Sequence, residues 1–184
     1  MGNGESSYSR FLAGEREGLA EIVREYSDGL ILYINSFVQN ISLSEEIAED
    51  VFVEIALKKP KYSGKSSFKT WLYAIARYTA INRMKYYKRF SEAQIDDMYE
   101  LSDETDLERS YIKDEQKIAL HRAVSALNER YSQVLYLVYF EGFSYAEAGR
   151  IMKKTERQVK NLVYRAKIAL REELEKEGFE YEEL

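Results

Sequence analysis

The 184-residue sequence has no cysteine, one proline, one histidine and one tryptophan. The missing thiols exclude disulfides and thiolate metal sites, and they suit a reducing compartment. One proline and nine glycines leave few places where a helix must stop. The longest apolar run, VLYLVYF at 134–140, is far too short to span a bilayer. The opening MGNGESSYSRF holds no apolar stretch of signal-peptide length. A soluble, cytoplasmic protein is the expectation. The most informative absence is local. The chain carries 32 Asp and Glu against 27 Lys and Arg, yet no carboxylate occurs from Ile55 to Ser91. That window holds ten Lys and Arg and eight aromatic rings.

Charge alternates along the chain. Residues 58–90 are net +10 and residues 116–170 net +6, whereas 1–57, 91–115 and 171–184 are net −8, −8 and −5. Steering of a polyanion depends on local potential, so the overall acidity misdescribes what such a chain attracts.

Periodicity predicts an all-α protein. From Leu19 to Gln39 the apolar residues Leu19, Ile22, Val23, Tyr26, Leu30, Tyr33 and Phe37 recur at helical spacing. Ser44, followed by Glu46, is expected to start the next helix. That helix should end near Lys59, because the residue before Pro60 avoids helical angles. KYSGKSS reads as a loop, and Phe68, Leu72, Ile75 and Thr79 share one face of the helix after it. SEAQIDDMYELSDETD has no sustained apolar stripe and reads as a linker. A second helical unit runs from about Glu108 to Leu174, with VLYLVYF as a buried helix inside it. Two helical domains are expected, with few contacts fixing their relative pose.

The second unit contains a helix from Tyr145 to Met152, a turn at Lys153–Lys154 and a helix from Thr155 onward. Thr155 and Gln158 form a capping-box pattern that sets where the last helix begins. Gly149 is small where two helices must approach, and the spacing matches a helix-turn-helix. Lys153 stands where glycine is common, so a left-handed residue there is strained. Stepping 100° per residue puts Val159, Leu162, Val163 and Ala166 on one side of the helix. Arg157, Asn161 and Tyr164 fall opposite, flanked by Lys160 and Arg165, as side chains suited to base edges and phosphates. The spacing equally describes an amphipathic hairpin with a solvated polar face. Ten bases against four acids in 116–170 favour DNA.

The order of AED at 48–50, SSFKTWLYAIAR at 66–77, the acidic linker, and LNERYSQVLYLVYFEGFSYAEAGRI with VKNLVYRAK resembles a bacterial RNA polymerase sigma factor. The chain is similar to the small extracytoplasmic-function (ECF) group, which keeps only the second and fourth conserved regions. The resemblance implies a sigma second-region domain at 1–90, an acidic linker at 91–111, a fourth-region helix-turn-helix domain at 112–178 and an acidic tail at 179–184. It implies binding to core RNA polymerase, promoter recognition, DNA melting and transcription initiation, with an anti-sigma factor as a further possible partner. Glu46, Glu49, Asp50 and Glu54 would face the polymerase clamp. Val53 and Ala56 depart from the family, which usually has a glutamine or aspartate and an aromatic there.

By the same resemblance, the acid-free block would hold the melted −10 element, where cations follow the backbone and aromatic faces stack on unpaired bases. Lys65, Ser66, Ser67 and Lys69 lie in or beside the base-capturing loop. Trp71, Arg77, Asn82, Arg83, Lys85 and Lys88 would line the following helix. Phe68, Leu72 and Ile75 read as core, and Trp71 fits either role. Thr155, Arg157, Lys160, Asn161, Tyr164 and Arg165 would meet the duplex −35 element.

No residues are spaced for catalysis, a metal or a cofactor. The single histidine, His121, fits a packed or solvated helix position. Adjacent acids such as Glu45–Glu46 point to different faces and make no acid–base pair. A stand-alone helix-turn-helix regulator and a protein-binding adaptor are the rival functions, and neither accounts for the acid-free block.

Overall fold

A computed structural model describes residues 3–91 and 115–176, so the expected linker beyond its first residue and the expected tail lie outside it. Among the described residues every regular element is helical. The N-terminal unit comprises α1 (Asn3–Leu12), α2 (Arg16–Val38), α3 (Ile41–Lys58) and α4 (Phe68–Ser91). The C-terminal unit comprises α5 (Glu115–Ser125), α6 (Glu129–Leu135) prolonged by a π-helical turn (Tyr136–Phe140), α7 (Tyr145–Met152) and α8 (Glu156–Lys176).

Local chemistry sets the boundaries. Gln39 is left-handed (φ 57°) and closes α2 through its N–H to the Asn35 carbonyl at 3.0 Å. Asn40 follows at once as the N-cap of α3, its Oδ1 accepting from the Leu43 N–H at 2.8 Å. The expected start at Ser44 is therefore corrected to Asn40. Ser44 is buried inside the helix and turns its hydroxyl back to the Asn40 carbonyl at 2.7 Å, the usual satisfaction of a mid-helix serine. The other end agrees with the sequence: Lys59, left-handed at φ 44°, stops α3 just before Pro60. Ser67 caps α4, accepting from the Thr70 N–H at 3.2 Å.

The N-terminal core forms where α1 crosses α2 at Gly18. A Cβ there would lie 2.2 Å from the Ser7 carbonyl oxygen, so only glycine permits the approach. Tyr8 is buried against Phe68 and Trp71, and its hydroxyl donates to the Pro60 carbonyl at 2.5 Å.

The expectation of few contacts between the units is overturned. Buried side chains of both form one contiguous core. Tyr33 and Tyr73 of the first unit meet Tyr136 and Phe143 of the second, with ring centroids 6.1 Å apart for Tyr33–Tyr136 and 5.1 Å for Tyr73–Phe143. The Gln39 amide also donates to the Ser125 carbonyl. The reason is compositional: tyrosine is abundant (16 residues), and its rings pack across a seam that charge counting alone does not reveal. Each well-buried ring contributes roughly 1.5–3 kcal/mol.

Candidate nucleic-acid and polymerase interface

The helix-turn-helix is built as its residues dictate. Ser144 and Glu147 form a capping box at the start of α7: the Ser144 N–H donates to Glu147 Oε2 at 3.0 Å, and the Glu147 N–H to Ser144 Oγ at 3.3 Å. Lys153 ends α7 in the left-handed region at φ 55°, so the departure from glycine is accommodated at the cost of strain and the turn forms all the same. Thr155 and Gln158 then make a second reciprocal pair, at 2.9 and 3.2 Å, which starts α8. A Cβ on Gly149 would sit 2.6 Å from the Lys154 carbonyl oxygen, so the close approach inferred from sequence is real. Val159, Val163 and Ala166 are buried and Leu162 is half-buried. Thr155, Arg157, Lys160, Asn161, Tyr164 and Arg165 are exposed, with Tyr164 at 69%. The result is a rigid helix presenting one cationic, hydrogen-bonding face.

The acid-free helix α4 is arranged differently. Lys65, Ser67, Asn82, Lys85 and Lys88 are exposed, while Ser66, Lys69, Trp71, Arg77 and Arg83 are half-buried. Trp71 lies among Tyr8, Tyr62 and Phe68, with centroids 5.3–5.5 Å away, so packing accounts for much of its surface. Ser66 contributes its carbonyl to the Tyr62 hydroxyl at 2.5 Å. Lys69 reaches the other unit. Its Nζ is 2.9 Å from Glu141 Oε2, donates to the Glu141 carbonyl at 2.8 Å, and stands 4.9 Å from the Phe143 ring centroid. Arg77 Nε donates to Gln133 Oε1 at 2.7 Å. The Ser67 and Thr70 hydroxyls approach Glu147 Oε1 at 3.4 and 3.3 Å. Partial burial raises the Glu147 carboxyl pKa. Hydrogen bonds from Ser144, Thr70 and Ser67 outweigh this and hold it below its ordinary value.

Where α4 meets α7, Arg77, Lys85, Arg150 and Lys153 line a cleft of about 320 Å³ that holds no carboxylate. Lys153 Nζ lies over the Tyr78 ring at 5.8 Å. Arg150 and Lys153 were not singled out as site residues from sequence. Nor were Glu141 and Glu147, although the scarcity of acids in 116–170 was the signal that could have marked them.

On α3, Glu46, Glu49, Asp50 and Val53 are exposed, and so is Leu57 at 79%. These positions recur at three and four, making one continuous face. Val53, noted as a departure from the family, is thus part of an exposed apolar end rather than a packing residue. Glu54 is half-buried and pairs with Lys58 at 3.0 Å. Asp50 is paired with Arg83 of α4, so a residue assigned to polymerase and one assigned to DNA are tied together. Tyr73 titrates well above its ordinary range, through burial first and the neighbouring Glu141 second. No group of residues among those described is arranged to hold a metal ion.

Comparison with known proteins agrees with this layout. Residues 22–90 match the model of sigma-70 region 2, and residues 117–170 that of sigma-70 region 4. The chain is 26% identical over 170 residues to the RNA polymerase sigma-H factor of Pseudomonas aeruginosa, covering 88% of each chain. It is also 26% identical over 170 residues to the ECF RNA polymerase sigma factor SigW of Bacillus subtilis, covering 88% of this chain and 91% of that one. The fold is that of the sigma factor RpoE solved with the anti-sigma factor NepR from Bartonella quintana. There the TM-score is 0.67 at 19% identity, over 85% of this chain and 96% of that one. With both matched regions in their sequence order, each coinciding with a helical unit whose exposed faces suit nucleic acid, the chain belongs to the ECF group of sigma-70 factors, which bind core RNA polymerase and promoter DNA and direct transcription initiation.

Proposed function

We propose a division of labour among three faces of the chain. Glu46, Glu49, Asp50 and Glu54, with exposed Val53 and Leu57 beside them, dock the polymerase clamp. Lys65, Ser66, Ser67, Lys69, Trp71, Arg77, Asn82, Arg83, Lys85 and Lys88 hold the parted −10 strand and promote DNA melting. Thr155, Arg157, Lys160, Asn161, Tyr164 and Arg165 read the duplex −35 element. The reading divides the chain at 1–90, 91–111 and 112–178. It has no catalytic step of its own, acts in the cytoplasm, and accepts an anti-sigma factor as a further partner. No described helix is long and apolar enough to cross a membrane.

The observation that carries this reading is the exposed cationic face of α8 on a capped helix-turn-helix, in the same chain as the acid-free α4. A carboxylate on α4 would repel phosphate, and single strands need cations and ring faces together. The test is reconstitution with core polymerase on promoter DNA, with duplex binding and permanganate reactivity of unpaired thymines read side by side. Lys65→Ala and Trp71→Ala should spare duplex binding and reduce thymine reactivity, and a pre-melted bubble should partly restore Trp71→Ala. If they fail at the duplex step together with Arg157→Ala, the division is wrong.

A further inference from the structure

Four cations converge on the cleft between α4 and α7 with no acid to answer them. Arg77 and Lys85 come from α4, Arg150 from α7 and Lys153 from the turn that ends it. Lys85, Arg150 and Lys153 are exposed, and none of the four is ion-paired among the described residues. Like charges gathered in one cleft repel, and an anion seated among them turns that repulsion into attraction. Two of the four are held in place beforehand. Arg77 Nε donates to Gln133 Oε1 at 2.7 Å, and the buried Gln133 donates in turn to Glu129 at 2.9 Å. The guanidinium keeps further N–H groups for an oxyanion. Lys153 places its Nζ 5.8 Å from the centroid of the Tyr78 ring on α4. That ring is 61% exposed, and the exposed Asn82 stands about one turn further along the same cleft.

We propose that this cleft binds a nucleotide carrying a di- or triphosphate. Its volume of about 320 Å³ exceeds what a lone phosphate fills. It lies at the small end of pockets that take organic ligands, roughly 300–1,000 Å³. Arg77 and Arg150 meet the phosphate oxygens as paired donors, and Lys85 and Lys153 meet them as point charges. Tyr78 offers a ring face to the base, and the Asn82 amide reaches its edge. A DNA backbone follows α4 or α7 singly, whereas a compact anion meets the cations of both at once. The site is thus a small-molecule site of the chain with α4 and α7 packed, whichever face reads the promoter.

The site is tested by calorimetric titration of the full free chain with ATP and with inorganic tripolyphosphate, in magnesium-free buffer at physiological salt. ATP should bind in a one-to-one ratio. Arg150→Gln/Lys153→Asn should weaken it about tenfold or more, because half of the cations are gone. Asparagine adopts left-handed angles readily, so the turn at 153 is kept. Arg150→Gln alone, at an exposed helix position, should act in the same direction and serves if the double variant does not fold. Arg24→Gln/Arg171→Gln removes two exposed cations outside the cleft and should move ATP affinity by less than about threefold. That pair separates a site from general attraction to cations. Tyr78→Ala should weaken ATP about tenfold and tripolyphosphate by less than about threefold, as loss of a stacking ring does. Amide hydrogen exchange should slow in both α4 and α7 when ATP is added. The proposal is overturned if ATP does not bind or if the two double variants lose affinity equally. It is also overturned if exchange slows in one helix only, or if Tyr78→Ala spares ATP or weakens both ligands alike. Every readout is on the free chain, so a failure of the promoter reading leaves this result standing.

Discussion

The two basic regions differ in what their charges are doing. On α8, Arg157, Lys160, Asn161, Tyr164 and Arg165 project from a helix fixed at its start by the Thr155–Gln158 pair, and none is drawn into an ion pair among the described residues. On α4, Lys69, Arg77 and Arg83 are each engaged, with Glu141, Gln133 and Asp50 respectively. Net charge ranks α4 as the stronger polyanion binder, yet geometry ranks α8 first in the free chain. A run of cations announces affinity only when its neighbours in space leave it unpaired.

The sharpest way to break this contrast is to deform one side alone. Gly149→Val would push a side chain against the Lys154 carbonyl, which is backbone and cannot yield. Loss of duplex recognition by 100-fold or more, about 3 kcal/mol, is expected, because misplacing α8 removes several contacts at once. Gel-shift titration should show it, while thermal unfolding followed at Trp71 should report the first unit little changed.

Next come the single contacts on the open face. Arg157→Ala or Asn161→Ala should weaken binding to the cognate duplex by ~1–3 kcal/mol if a base edge is lost. Lys160→Ala should weaken all duplexes alike and lower the slope of affinity against salt, as a phosphate contact does. Titrations of cognate and scrambled duplexes at several salt concentrations separate the two. Equal losses on both sequences for Arg157→Ala would remove it from the base-reading set.

Much of this contrast was legible in the sequence. The period of α2, the extent of α7 and the buried side of α8 all follow from spacing and capping chemistry, which act over three or four residues. The family was legible in the order of its motifs. What spacing could not convey was the seam. Tyr33, Tyr73, Tyr136 and Phe143 lie on helices distant in sequence, and an aromatic on an amphipathic stripe looks the same whether it meets its own unit or the other. The pairing of Asp50 with Arg83 was hidden likewise, each looking free on its own helix. The start of α3 was misplaced because Ser44 has a capping side chain, whereas Asn40 sits where Gln39 has just ended α2.

A smaller effect distinguishes the units by pH. His121, the only histidine, belongs to α5 and packs edge-on against Phe140 and Tyr136, with centroids 4.4 and 5.3 Å away. Burial lowers its pKa from 6.5 to about 4. The unfolded chain therefore takes up the proton first. The stabilisation from a neutral, half-buried ring is complete above pH 6.5 and is lost as pH falls toward 4. Denaturant unfolding at pH 7 and pH 4.5 should show a drop on the order of 1–2 kcal/mol that His121→Phe abolishes. A drop of the same size in His121→Phe would assign the acid sensitivity to other groups.

The smallest expected effect bears on the seam itself. The Tyr33 hydroxyl is buried and has no hydrogen-bond partner among the described residues, while its ring packs on Tyr73 and Tyr136. Burial first pushes its pKa up, with Arg77 opposing and Glu129 adding to the rise, so at neutral pH it is an uncharged group without a hydrogen-bond partner among the described residues. A buried polar group left unpaired costs about 1–3 kcal/mol, and phenylalanine keeps the ring while removing that oxygen. Tyr33→Phe should therefore stabilise the packed seam, by roughly 0.5–1 kcal/mol once its relaxation is allowed for. Denaturant unfolding should show the variant more stable than wild type, and its affinity for duplex should be unchanged. A variant less stable than wild type would mean that the hydroxyl helps to hold the seam together, through a partner such as a bound water.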